Sequence, residues 1–213
     1  WVFSTVRSRS VVGIIDYNSG NIRSVINAVE SVGSKTCLVN KPGQLNDCTH
    51  LILPGVGAFG FCADQLRSSG MLPALENCVF QEGKPLLGIC VGMQLMADFS
   101  EEQGSHDGLS WIGGSVKKLE KCLESNVRVP HVGWDDVVFK EDFGQIKSGE
   151  VIAFYFDHSF AYQNPKLGNE LAFSCHGRQF TAIIKRENIV AVQFHPEKSQ
   201  STGMRFIKSF LSL

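Results

Sequence analysis

Over the first two-thirds of the chain, short apolar runs alternate with helical patterns, and this rhythm most constrains the fold. SVVGIIDY (10–17) is almost continuously apolar, as a strand covered on both faces requires. After a turn at Asn18–Asn21, NIRSVINAVESVG sets Ile22, Val25, Ile26 and Val29 at helical spacing and stops at Gly33. KTCLVN (35–40), THLILPG (49–55) and PLLGIC (85–90) read as three more strands. Residues 61–82 read as helix with a break near Gly70 and Pro73, and residues 91–99 as the helix after the fourth strand. This predicts an α/β fold built on an open, mostly parallel sheet with helices on both faces.

The later segments LSWIGGSVKKLE, RVPHVGWDDVVF, VIAFYFDHSFAY, ELAFSCH, QFTAIIKRE and NIVAVQFHP are strand-like and closely spaced, which predicts added antiparallel strands. GMRFIKSFLSL closes the sequence as an amphipathic helix. No repeat or linker interrupts the chain, so residues 11–213 read as one domain and residues 1–10 as an N-terminal extension.

A net charge of −1 gives no reason to expect nucleic acid or an anionic membrane as partner. No apolar run reaches the roughly 18–20 residues that span a bilayer, and WVFSTVRSRS lacks the apolar stretch of a secretory signal. The seven cysteines, Cys37, Cys48, Cys62, Cys78, Cys90, Cys122 and Cys175, show neither C-x-x-C spacing nor histidines at zinc-finger spacing. The expectation is a reducing, cytoplasmic setting with no disulfide framework, no metal and no cofactor.

One of these cysteines stands apart. In Gly88-Ile-Cys-Val-Gly92 the glycines permit a tight strand-to-helix corner, the shape of a nucleophile elbow. Such a corner lifts the Cys90 sulfur above the carboxyl edge of the sheet, where the helix N-terminus favours the thiolate. Taken alone, the pattern fits a buried thiol between packing glycines equally well. The C-terminal IVAVQFHPEKS adds His195 and Glu197, two residues apart and facing the same way if extended. A carboxylate beside an imidazole fixes its tautomer and stabilises the imidazolium, which a cysteine's base requires. A surface histidine beside a solvated glutamate is the plain alternative. The glycine-rich LPGVGAFG (53–60) follows the third strand and can turn backbone N–H groups toward an oxyanion, with the Val91 amide as second donor.

Cys90, His195 and Glu197 in this order, together with DYNSGNIRSV (16–25), LPGVGAFG, VPHVGWD (129–135) and YFDHSF (155–160), resemble the class I triad glutamine amidotransferases. Within them, the chain is similar to the glutaminase subunits of imidazole glycerol phosphate synthase, from about Val11 to the end. The resemblance implies that Cys90 attacks the glutamine carboxamide, that His195 moves protons and that Glu197 orients His195. It implies that Gly55, Val56 and Gly57 supply an oxyanion amide once a peptide near Val56 reorients. Gln94 would hold substrate, His158 and Ser159 would border the pocket, and Asn18, Asn21 and Lys198 would face the synthase subunit. That partner would be a barrel-type cyclase receiving ammonia within a heterodimer. Asp157 and Phe160 depart from the family's usual small apolar residue and tyrosine, and Asp157 is expected to point away from the pocket as a solvated carboxylate. A paralogous amidotransferase serving another synthase and a non-catalytic regulatory subunit are the rival readings.

Overall fold

The computed structural model describes residues 10–119, 127–164 and 168–213; residues 1–9 of the expected extension and Cys122 lie outside them. The first half runs β1 (Val11–Ile15), α1 (Ile22–Ser31), β2 (Lys35–Val39), β3 (His50–Gly55), α2 (Phe59–Ser68), α3 (Leu72–Glu76), β4 (Leu86–Cys90) and α4 (Val91–Leu95). The second half runs β5 (Phe99–Ser100), β6 (His106–Asp107), β7 (Ser115–Lys118), β8 (His131–Phe139), β9 (Val151–His158), β10 (Phe160–Gln163), β11 (Glu170–His176), β12 (Arg178–Arg186), β13 (Ile189–Val192) and α5 (Gln200–Phe210).

Nine strands form one sheet in the order β2-β1-β3-β4-β13-β12-β11-β8-β9. The first five are parallel, and β12, β11, β8 and β9 extend them antiparallel. The apolar strands β3, β4 and β13 are buried along their whole lengths at the sheet centre. α1 packs against α5 and α2 against α4, burying Val25, Val29, Phe206 and Phe210 among others. By contrast β8 alternates along much of its length, with Val132, Trp134 and Val138 exposed, because only one of its faces is covered.

Two expectations are corrected in detail. The helix expected over 91–99 ends at Leu95, where tight bonds from the Met96 and Ala97 amides to the Met93 and Gln94 carbonyls close the last turn. Asp98 then donates to the Gly114 carbonyl, and Phe99–Ser100 joins a separate small sheet, β10-β7-β5-β6. In LSWIGGSVKKLE only Ser115–Lys118 is strand, since Gly113 and Gly114 turn the chain at φ of +70° and +76°.

Candidate active site

β3, β4 and β13 lie side by side and parallel, so their carboxyl ends emerge together. Register aligns Gly55 of β3 with Cys90 of β4, and Val192 of β13 with Ile89. Three segments far apart in sequence thereby meet at one edge of the sheet, where open α/β sheets take ligands.

Cys90 sits on the corner between β4 and α4 with φ +54° and ψ −111°, a strained conformation for a residue with a side chain. Its neighbours explain how the corner fits. A methyl on Gly92 would run into the Leu53 carbonyl, and one on Gly88 would meet Met96 Cε at 2.6 Å. Gly92 is therefore required by close backbone approach, whereas Gly88 makes room for the flexible end of Met96.

The chain leaving β13 brings the imidazole. His195 Nδ1 lies 2.8 Å from Glu197 Oε1, and both side chains are 2% exposed. The expected extended i, i+2 placement is corrected: Pro196–Lys198 form a 3₁₀ turn capped by His195, and this turn carries Glu197 back under the ring. On its other side the imidazole shares the cleft wall with Cys90. Burial alone would push His195 down, but the sulfur and the Glu197 carboxylate outweigh it and raise His195 to about 10. A protonated imidazole places Nδ1–H on Glu197 and keeps Nε2–H for the sulfur or the leaving group.

A cleft of about 360 Å³ opens over the sulfur. Its walls include Val56, Gly57, Val91, Gln94, His158, Ser159 and Phe160. A buried nucleophile, a charged imidazole and a carboxylate facing such a cleft can form and resolve an acyl-thioester.

Residues 13–212 match the family described as glutamine amidotransferase class-I. The chain belongs to this family. A curated relative, imidazole glycerol phosphate synthase subunit HisH of Zymomonas mobilis, is 42% identical over 210 residues, spanning 96% of this chain and 97% of that protein. The subunit of the same name from Leptospira interrogans is 37% identical over 95% of this chain and all of that protein. Among solved structures, one described as a glutamine amidotransferase superposes with a TM-score of 0.73 at 19% identity, covering 96% of this chain and 100% of that one. PurLQS from Thermotoga maritima gives 0.71 at 18%, covering 96% and 98%. These two show a shared amidotransferase fold.

The remaining amidotransferase positions fall into two groups. Gln94 lines the cleft, yet its amide nitrogen points inward, donating to the Phe160 carbonyl at 2.9 Å and to Gln193 Oε1 at 3.0 Å. His158 offers the cleft only its ring, because Nδ1 lies 2.9 Å from the Phe160 carbonyl and Nε2 3.0 Å from His131 Nδ1. Asn18, Asn21 and Lys198 do not line the cleft. Asn18 is exposed at φ +63°, Asn21 stands at the N-cap of α1, and Lys198 lies over the Tyr155 ring. The expectation for Asp157 is corrected. Asp157 lines the cleft mouth, where its carboxylate pairs with Lys198 at 3.4 Å, because the chain bends out of β9 at Ser159 and exposes that edge.

Sequence reasoning missed Glu102, Pro130 and Gln193. Glu102 and Pro130 line the cleft, and Glu102 is fixed by the Phe59 amide at 2.8 Å. Glu102 follows the short strand β5, which has no periodicity to read. Gln193 is fully buried with Nε2 at 3.7 Å from the Cys90 sulfur; its place two residues before His195 was the available signal. Among the described residues, His131, Asp135 and His176 bring possible metal-ligand atoms within 4.8 Å of one another. His131 Nδ1 is taken up by His158, His131 Nε2 faces Asp135, and His176 Nε2 donates to the Arg128 carbonyl at 2.8 Å, so each ring already has a neighbour in the fold.

Proposed function

We propose that this chain is the glutaminase subunit of an imidazole glycerol phosphate synthase. It would hydrolyse glutamine through a cysteinyl thioester and pass ammonia to a barrel-type cyclase in a cytoplasmic heterodimer. The observation that carries the reading is Cys90 at the end of β4 beside a His195–Glu197 pair delivered by the neighbouring β13, in a chain 42% identical to a named synthase subunit over nearly its whole length.

The chemistry follows from the protonation pattern. The Cys90 thiolate attacks the carboxamide carbon, and the carbonyl oxygen becomes an oxyanion. The Val91 amide at the start of α4 and an amide of Gly55–Gly57 would receive that charge, each such donor being worth about 3–4 kcal/mol. His195 Nε2–H protonates the departing nitrogen, the C–N bond breaks and ammonia leaves. The neutral imidazole then takes a proton from water, the hydroxide attacks the thioester, and glutamate departs as sulfur regains its thiolate. Glu102 provides a carboxylate for the substrate's ammonium group. Ammonia protonates readily in bulk water and is then no nucleophile, so a closed path to the acceptor is the physical reason for a partner. Asn18, Asn21 and Lys198, clear of the cleft, are the residues this reading places against the cyclase.

The test is co-purification with a barrel-type cyclase followed by measurement of glutamate release and ammonia transfer. Glutamate release that is low in the free chain and rises on complex formation supports the reading. Failure to bind a cyclase, or failure to rescue a histidine auxotroph lacking this subunit, overturns the assignment to that synthase and favours a paralogous one.

A further inference from the structure

A side chain that the triad does not use bonds the nucleophile. Gln193 follows β13, and its amide is fully buried beneath the cleft. Which end of that amide faces the sulfur can be settled by counting donors. The Phe160 carbonyl can only accept, so the Gln94 group 2.9 Å from it is the NH2. The second hydrogen of the same NH2 points to Gln193 at 3.0 Å, which must therefore present its oxygen there. The Gln193 NH2 is left facing Cys90, 3.7 Å from Sγ.

We infer that Gln193 is a further catalytic residue, whose amide donates to the Cys90 sulfur and stabilises its thiolate opposite His195. The inference rests on the glutaminase reading of the site. A sulfur flanked by an imidazolium on one side and an amide N–H on the other keeps its negative charge while its attacking face stays open to the cleft. An N–H donor to an ionised acceptor is stronger than one between neutral groups, and linked amides polarise one another toward the charge. The chain Phe160 carbonyl, Gln94, Gln193, Cys90 does a second thing. With both Gln94 hydrogens directed inward, its Oε1 is left as an acceptor on the cleft side, so nucleophile and substrate contact are set by one network.

The test uses Gln193→Glu and Gln193→Met in the complex with its cyclase. Glutamate at 193 keeps an acceptor for Gln94 but puts a carboxylate oxygen against the sulfur. Methionine keeps the volume and removes both partners. The first readout is the pH dependence of Cys90 alkylation by iodoacetamide, a displacement that needs no oxyanion site. The ionisable groups around the sulfur are His195 with Glu197 behind it, Glu102, Asp157 and His158 on the cleft wall, and Tyr17 and Cys62 near β3. Both variants retain all of them. The alkylation midpoint is expected to move up by about one pH unit in Gln193→Met and further in Gln193→Glu. The second readout is glutamate release: kcat falls roughly ten- to hundredfold in both, while KM stays near wild type only in Gln193→Glu. Alkylation midpoints at the wild-type value in the variants that co-purify with cyclase, or wild-type kcat in Gln193→Glu, overturn the inference. Absence of glutamine turnover in the wild-type complex defeats the glutaminase reading instead, and the alkylation profile still decides whether Gln193 supports the thiolate.

Discussion

At the scale of single residues, the site combines strain with charge. Cys90 holds φ +54°, which costs a side-chain-bearing residue about 1–3 kcal/mol. Cys90→Ala is expected to abolish glutamate release and leave the fold intact, and Cys90→Gly to be more stable than Cys90→Ala by about 1 kcal/mol, read from paired urea unfolding curves. Glu197 keeps its carboxylate 2.8 Å from His195 Nδ1 while its other oxygen is buried without a partner. Neutralising it in Glu197→Gln removes the charge that holds the imidazolium. Glutamine-dependent turnover is expected to fall at least about a hundredfold, whereas synthase activity supplied with free ammonia persists. Loss of both activities would mark a folding defect and count against the role given to Glu197.

At the scale of elements, two features govern stability. The β4–α4 corner needs Gly92, since any side chain there meets the Leu53 backbone, which is held in β3. Gly92→Ala should cost at least about 3 kcal/mol and lower Tm by several degrees. Where β8 and β9 pair, His131 lies directly opposite His158, with the rings 3.0 Å apart at their nearest nitrogens. Burial is the main cause holding His131 down at about 4 and His158 at about 3. Both are neutral in the folded chain at pH 7 and would gain protons on unfolding once the pH falls below about 6.5. Their contribution is therefore complete above that value and is lost as pH falls toward 4. Urea unfolding at pH 5 and pH 7 should show a loss of about 2 kcal/mol or more at the lower pH, shrinking in His158→Phe.

At the scale of the whole molecule, the cleft opens beside surface positions that the proposed partner would cover. Val56 is 39% exposed at the mouth of the cleft, and Trp134 is 47% exposed on β8. The Asp157–Lys198 pair stands on the same rim, both groups half in solvent, so its own contribution to stability is about 0–1 kcal/mol. Its consequence is for assembly. If the proposed cyclase docks on Lys198 through an acidic group, Asp157→Val, which frees Lys198, is expected to tighten the complex severalfold in a titration at low salt, with the gain shrinking as salt rises. An unchanged or weaker affinity would show that Lys198 takes no part in docking.

What the sequence by itself determined is the material of each element. Continuous apolar runs made β1, β3 and β4 buried strands, helical spacing made α1 and α5, and the glycines around Cys90 made a corner. These are local properties, fixed by period and by the space a side chain occupies. The turn ending α4 and the 3₁₀ turn under His195 close on local bonds but are held by distant ones, from the Leu109 amide to the Leu95 carbonyl and from the His195 amide to the Tyr155 carbonyl, and Phe99 passes into a second sheet; no local pattern carries these. Strand order was likewise decided only in three dimensions. β13 lies next to β4 because two short, fully buried apolar strands satisfy each other's backbone groups at the centre of the sheet, and that neighbourhood brings His195, Glu197 and Gln193 to Cys90 from a hundred residues away.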